Sequence, residues 1–208
     1  FADPEISAII TAIGGSDSVR ILPYLDTAAA LSHPRVIMGM SDATTFLSYL
    51  SVLGLVTLYV PIVMAALAQM SALPAEFRGH LEALLFGDSR GYVYTPYPAW
   101  TDGYPDWADP ANAGKVLPLQ PNADGWHWLQ GDAPVQGRLW GGCIEVLEFL
   151  KGTPYWPSSS AFWSERILFF ETSEEKPTVQ QVRHMLRNYG MQGILGEVRG
   201  ILFGRPKG

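Results

Sequence analysis

The chain has 208 residues, 48% of them hydrophobic, and a formal charge of −6. That is enough apolar material for one large domain or two small ones, and the scattered charge offers no Lys/Arg cluster to track a nucleic-acid backbone. Cys143 is the single cysteine, which excludes an intrachain disulfide and a cysteine-cluster metal site and suits a reducing compartment. The chain opens on Phe1, and no basic stretch precedes an apolar one, so no secretory leader is visible within it, which leaves open one already removed.

Glu5 to Ile13 is apolar and runs into Gly14-Gly15, a helix or strand followed by a tight turn, with no opening strand recognisable before Gly14. Ile21 to Leu25 leads to Asp26, which can cap a short helix to Leu31. Arg35 to Met38 predicts a short buried strand, and a helix follows from Asp42. Ala43 to Ala75 carries no charged side chain and is long enough to cross a bilayer. Gly54 and Pro61 interrupt it, however, and Leu55 to Val60 ("LVTLYV") is rich in β-branched residues, so a strand is expected there and a membrane span is not. Strands alternating with helices predict an α/β fold with a parallel, doubly wound sheet over residues 1–88. Glu76 to Phe86 closes that domain as a more polar helix ended by Gly87.

Composition then changes. Residues 90–134 are rich in Tyr, Trp, Pro, Gly and Asp and lack periodicity, which predicts loops and strands in a second domain or a large insertion. Further on, Gly137 to Trp140 reads as a strand and Gly142 to Leu150 as a helix with Cys143, Val146, Leu147 and Leu150 on one face. "RILFF" predicts a strand ending at Glu171, Pro177 to Tyr189 a helix stopped by Gly190, and Val198 to Phe203 a last strand. A mixed α+β domain over residues 89–208 is expected. Both ends of the chain look cut, because an α/β chain normally continues past such a final strand.

Four features could carry chemistry. In "VIMGMSDATTFL" Ser41 follows a strand and opens a helix, where a hydroxyl is exposed at the carboxyl end of a sheet and the Asp42 N–H sits at a helix N-terminus. Serine is equally a favoured helix cap, so this stretch leaves both roles open. Gly14 and Gly15 would let backbone N–H groups approach a ligand closely, or would simply make a turn. Glu171, closing an apolar strand, could orient a histidine or sit exposed at a sheet edge. The loop "YTPYPAWTDGYPDW" presents Trp100 and Trp107 as rigid aromatics that could stack a flat ligand or pack the loop. None of the four histidines, at positions 33, 80, 127 and 184, falls at a strand end opposite Ser41 by sequence argument.

Five blocks occur in order: "ITAIGGSDSVRILPYLD", "HPRVIMGMSDATTF", "GRLWGGCIEVLEFLKGTPYWP", "ILFFETSEEKP" and "LRNYGMQGILGEVRGILFGRP". Together they resemble the LD-carboxypeptidase and microcin C immunity family of serine peptidases over essentially the whole chain. The tryptophan loop and the "ETSEEKP" turn lean toward the immunity branch. The resemblance implies Ser41 as nucleophile and Glu171 as the acidic member of a Ser-Glu-His triad. It implies an oxyanion hole from the backbone of Asp42, Gly14 and Gly15, and base stacking on Trp100 and Trp107. It also implies a cytoplasmic homodimer that needs no metal or other cofactor, acting on a small peptide or peptidyl-nucleotide, with no nucleic-acid or membrane partner. The family's histidine lies beyond the segment matched by "GILFGRP", so it is expected past Gly208, and the sequence reads as a fragment that alone would be inactive. Val60 stands before Pro61 where family members often carry glycine. Cleavage of cell-wall muropeptides, or ligand binding without catalysis on the same scaffold, are the alternatives.

Overall fold

The computed structural model describes residues 1–206. These fall into two compact units: residues 1–63 with 134–206, and residues 64–133.

The first unit holds two three-stranded parallel sheets. In one, β1 (Ala8–Ile10), β2 (Val36–Gly39) and β3 (Leu58–Tyr59) lie in that order, with Ile9 opposite Ile37 and Gly39 opposite Tyr59. A strand therefore does precede the Gly14-Gly15 turn. It is only three residues long, too short for its alternation to register against the flanking polar residues. Asp26 caps α1 (Thr27–Ser32) by accepting from the Ala29 N–H at 2.9 Å. After β2 a single 3-10 turn, Ser41–Ala43, runs into α2 (Thr44–Val52). The apolar run that imitates a membrane span is thus cut into a helix, a turn and a strand. No helix among the described residues is long and apolar enough to cross a membrane.

The other sheet orders β6 (Arg138–Cys143), β7 (Arg166–Glu171) and β8 (Gly200–Phe203). Cys143 stands opposite Glu171, so both close their strands at the same level. The helix expected from Gly142 begins later. Gly142 and Cys143 belong to β6, and only Ile144–Leu147 form a helix, α4, extended by a 3-10 turn over Glu148–Leu150. Gly142 has φ +146°, and a Cβ there would sit 2.6 Å from Thr44 Cγ2. The missing side chain lets β6 pass directly against the start of α2, which a helical reading of the glycine pair overlooks. A short helix, α5 (Ser160–Trp163), precedes β7. The helix α6 (Val179–Met191) starts with a reciprocal capping box between Thr178 and Gln181 and runs through Gly190 rather than stopping there. α7 (Ile194–Glu197) follows.

Two cores hold this unit. Ala30, Ile37, Ala43, Leu47 and Leu50 pack on the first sheet. Trp140, Leu147, Leu150, Trp163, Phe170 and Tyr189 belong to the second. Trp140 is buried with its ring edge-on to Trp156 and Trp163, and its indole N–H donates to the Ser48 carbonyl at 3.2 Å. Burying a side chain of that size contributes about 3–5 kcal/mol by comparison with large-to-small replacements, provided the indole N–H finds its partner. Ser48 returns a hydrogen bond to the Gly141 carbonyl at 3.1 Å, so α2 is fastened to β6 by polar contacts as well as by packing.

The second unit contains the helix α3 (Ala75–Phe86) and an antiparallel pair, β4 (Ala99–Trp100) with β5 (Gln120–Pro121). His80 packs against Tyr92, Tyr94 and Tyr97, and its Nδ1 is hydrogen-bonded to the Tyr97 hydroxyl.

Candidate active site

Parallel strands deliver the side chains at their carboxyl ends to one edge of a sheet, where ligands of α/β proteins bind. Ser41 follows β2, Tyr59 ends β3, Cys143 ends β6 and Glu171 ends β7. These are the residues that meet.

Ser41 does not cap a helix. The cap positions of the 3-10 turn and of α2 are Met40 and Ala43. Ser41 itself has φ +57°, a left-handed conformation that costs an L-residue about 1–2 kcal/mol. A strained serine between a parallel strand and a helix start is the backbone of a nucleophile elbow. The Gly14-Gly15 turn lies directly against it: a Cβ on Gly14 would stand 3.0 Å from Ser41 Oγ, and one on Gly15 would stand 2.8 Å from Asp42 Oδ2.

The Asp42 side chain holds that turn in place. It is buried, and it accepts hydrogen bonds from the backbone N–H of Asp17 at 3.1 Å and of Ser18 at 2.9 Å. The Ser18 hydroxyl donates to the Asp42 carbonyl at 2.5 Å and lies 2.5 Å from Thr45 Oγ1. A carboxylate clamped by backbone N–H groups is a charge-assisted contact, stronger than a neutral one. Sequence reading gave Asp42 only a backbone role. The clamp was legible, if at all, only in the repeat of "SD" at Ser16-Asp17 and Ser41-Asp42.

On the other side of Ser41, its N–H donates to the Tyr59 hydroxyl at 2.7 Å, and that hydroxyl donates to Glu171 Oε1 at 2.5 Å. Thr44 locks the same region: its hydroxyl donates to the Ser41 carbonyl at 2.5 Å and accepts from the Cys143 N–H at 3.0 Å. Burial pushes the Glu171 carboxyl above its ordinary range. The Tyr59 hydrogen bond pulls it back, the charges of Glu145 and Glu174 push it further up, and a hydrogen bond from Cys143 again opposes them. Burial, with the charge of Glu171 adding to it, drives the Tyr59 phenol far above its usual value, so the proton stays on tyrosine. Burial likewise raises the Cys143 thiol, which makes it a poor nucleophile. Glu145 steadies the turn after Glu171 by accepting from the Ser173 N–H at 3.0 Å and hydroxyl at 2.8 Å.

Ser41, Asp42, Gly14, Gly15 and Glu171 are therefore brought together in one unit. Trp100 and Trp107 belong to the other unit: Trp100 is half-buried in its strand, and Trp107 is exposed with its ring tilted against Tyr104. Tyr59 is the participant that sequence reading missed. Of the histidines of the first unit, His33 lies at the end of α1, and His184 is hydrogen-bonded to Gln180 on an exposed face of α6. Among the described residues no group of three or more His, Cys, Asp or Glu side chains could hold a metal ion.

Residues 1–60 match the model of the LD-carboxypeptidase N-terminal domain, and residues 136–208 match that of the LD-carboxypeptidase C-terminal domain. The chain belongs to the LD-carboxypeptidase family. It is 27% identical over 206 residues to the microcin C7 self-immunity protein MccF of Escherichia coli, covering 98% of this chain and 57% of that protein. It is 26% identical over 203 residues to a protein named probable murein peptide carboxypeptidase of Bacillus subtilis, covering 97% and 53%. A crystal structure of an MccF-like protein from Streptococcus pneumoniae in complex with AMP superimposes with a TM-score of 0.81 at 27% identity, covering 99% of this chain and 64% of that one. The chain thus spans less than two thirds of the length of these relatives, with an incomplete family fold.

The contact between Gly14 and Ser41 yields a direct test. Gly14→Ala in the full-length protein places a methyl group against Ser41, displacing its Oγ by a few tenths of an ångström. Since small misplacements at a reacting centre cost about 10²-fold, turnover should fall about 10- to 100-fold with the melting temperature nearly unchanged. Steady-state kinetics beside a thermal melt would check this.

Proposed function

We propose that the chain carries the nucleophile and acid of a serine peptidase that cleaves an amide next to an acidic or D-configured residue in a peptidyl-nucleotide, a self-immunity activity. The observation that carries this reading is Ser41 itself, left-handed between β2 and a helix start with the Gly14 backbone against its hydroxyl. Ser41 Oγ attacks the carbonyl carbon and passes its proton to a histidine supplied by the parent protein outside residues 1–208. The N–H groups of Asp42 and of the Gly14-Gly15 turn receive the developing oxyanion. The histidine then protonates the departing amine, and water releases the acyl group from Ser41. Glu171 holds that histidine. In support, the backbone after β8 runs beside it: the Gly204 N–H donates to the Phe170 carbonyl at 2.7 Å, and a Cβ on Gly204 would lie 3.1 Å from Glu171 Cβ.

The nucleotide moiety is drawn from the relatives, since the crystallised MccF binds aspartyl sulfamoyl adenosine and the S. pneumoniae protein binds AMP. Trp107, with an exposed ring, and Trp100 stack the base. The B. subtilis relative supports a second reading, removal of a terminal residue from murein peptides. Full-length protein should be offered an aspartyl sulfamoyl adenosine and a muropeptide tetrapeptide, with products read by mass spectrometry. Cleavage of neither would overturn the peptidase assignment. Trp107→Ala should raise KM for the nucleotide substrate about 10- to 100-fold, the loss of one base–aromatic stack, and leave the muropeptide KM unchanged. An unchanged nucleotide KM would remove Trp107 from the site.

A further inference from the structure

We propose that Tyr59 is a positioning residue, whose single hydroxyl, held between the Ser41 amide and the Glu171 carboxylate, fixes the nucleophile turn and the triad acid relative to each other. The inference rests on the roles of Ser41 and Glu171 given above, and deepens them.

The phenol is placed by rigid elements. Its Cα is registered opposite Gly39 at the end of β3. Its ring is tilted by 58° against Phe169 with centroids 5.5 Å apart, and it fills the space left at Gly142, where a Cβ would stand 3.1 Å from Cε2. Only a hydroxyl can make both contacts at once. Its proton goes to Glu171 Oε1 at 2.5 Å, while its oxygen accepts the Ser41 N–H at 2.7 Å. The first bond, beside the one from Cys143, helps fix the orientation of the carboxylate. The second satisfies the amide of a residue held at φ +57°, and so holds that turn in its left-handed state. The two are one device, because the oxygen that receives the amide donates to the acid and each bond polarises the other. Nothing in this arrangement gives Tyr59 a contact with a scissile carbonyl, so it works through its neighbours.

Glu171 is also faced by Cys143 from β6, Glu145 from α4 and Glu174 from the following turn. Tyr59 does more than Cys143 to favour the ionised carboxylate, so deleting its hydroxyl leaves burial and two like charges less opposed.

The test is Tyr59→Phe in the full-length protein, with Glu171→Gln used to assign the Glu171 carboxyl carbon by ¹³C NMR. The expected result is a Glu171 titration midpoint moved to higher pH, an acid limb of kcat moved in the same direction, and kcat lowered about 10- to 100-fold with KM within about threefold. A folded Tyr59→Phe protein whose Glu171 midpoint does not move would overturn the proposal, whatever happens to its rate. If that variant does not fold, Glu171→Gln alone reports on the same chain: the Ser41 amide proton should shift although Tyr59 stands between, and an unmoved resonance overturns the coupling. Full turnover by a Ser41→Ala control would instead sink the serine mechanism, while the carboxyl titration would still decide whether Tyr59 holds Glu171.

Discussion

Ser41→Gly should make the protein slightly more stable and catalytically dead. Ser41 occupies a left-handed backbone at φ +57°, which costs an L-residue about 1–2 kcal/mol and costs glycine nothing. Glycine returns part of that gain, about 0.5–1 kcal/mol, through the greater freedom of its unfolded chain. The net expectation is a gain of up to about 1 kcal/mol in denaturant unfolding of the full-length protein. Turnover should meanwhile fall at least about 10⁴-fold, because the oxyanion donors remain but no nucleophile does. The opposite signs are the informative part. A structural serine at this turn would give the same stability gain with no loss of rate, while a serine whose strain is imposed for catalysis gives both. A variant that retains normal turnover would remove Ser41 from the reaction.

The features legible in the sequence were those encoded locally. Gly39 ending an apolar run, Ser-Asp after it and uncharged helix-forming residues beyond are one contiguous signal for a strand, turn and helix, and the fold places them so. Glu171 was equally legible, since a lone carboxylate closing "RILFF" marks a strand end. Tyr59 was not. Within "LVTLYV" it looks like any aromatic in a buried strand, and its role exists only because the parallel register sets it opposite Gly39 and because β7, 112 residues away in sequence, ends at the same place. The Gly141-Gly142 pair misled in the same way. It precedes a helix-periodic stretch, but what it serves is the approach of β6 to Thr44, a neighbour 98 residues earlier that no local window contains. The short β1 was ambiguous for a further reason, because three residues carry too little alternation to separate strand from helix.

Glu171→Gln separates the cost of a buried charge from its use. The carboxyl is pushed above its ordinary value of 4.5, chiefly by burial. Between that value and the raised folded one, the native state binds more protons than the unfolded state, so stability falls as pH rises through the window. Above it, the ionised carboxylate is a net burden on the fold. Glutamine is nearly isosteric, and its amide oxygen can still accept from the Tyr59 hydroxyl. The full-length variant should therefore be more stable than the parent at neutral pH, and the difference should vanish when both are unfolded in acid below the ordinary carboxyl range. Turnover should drop by about 10⁴-fold, the scale on which replacing a triad acid by its amide misorients the imidazole. Denaturant titrations at two pH values and steady-state rates on the same preparation would supply all three numbers. A variant that is less stable at neutral pH would mean that the Tyr59 bond to an ionised partner outweighs the burial of its charge, whereas one that keeps its rate would show that no catalytic imidazole depends on Glu171.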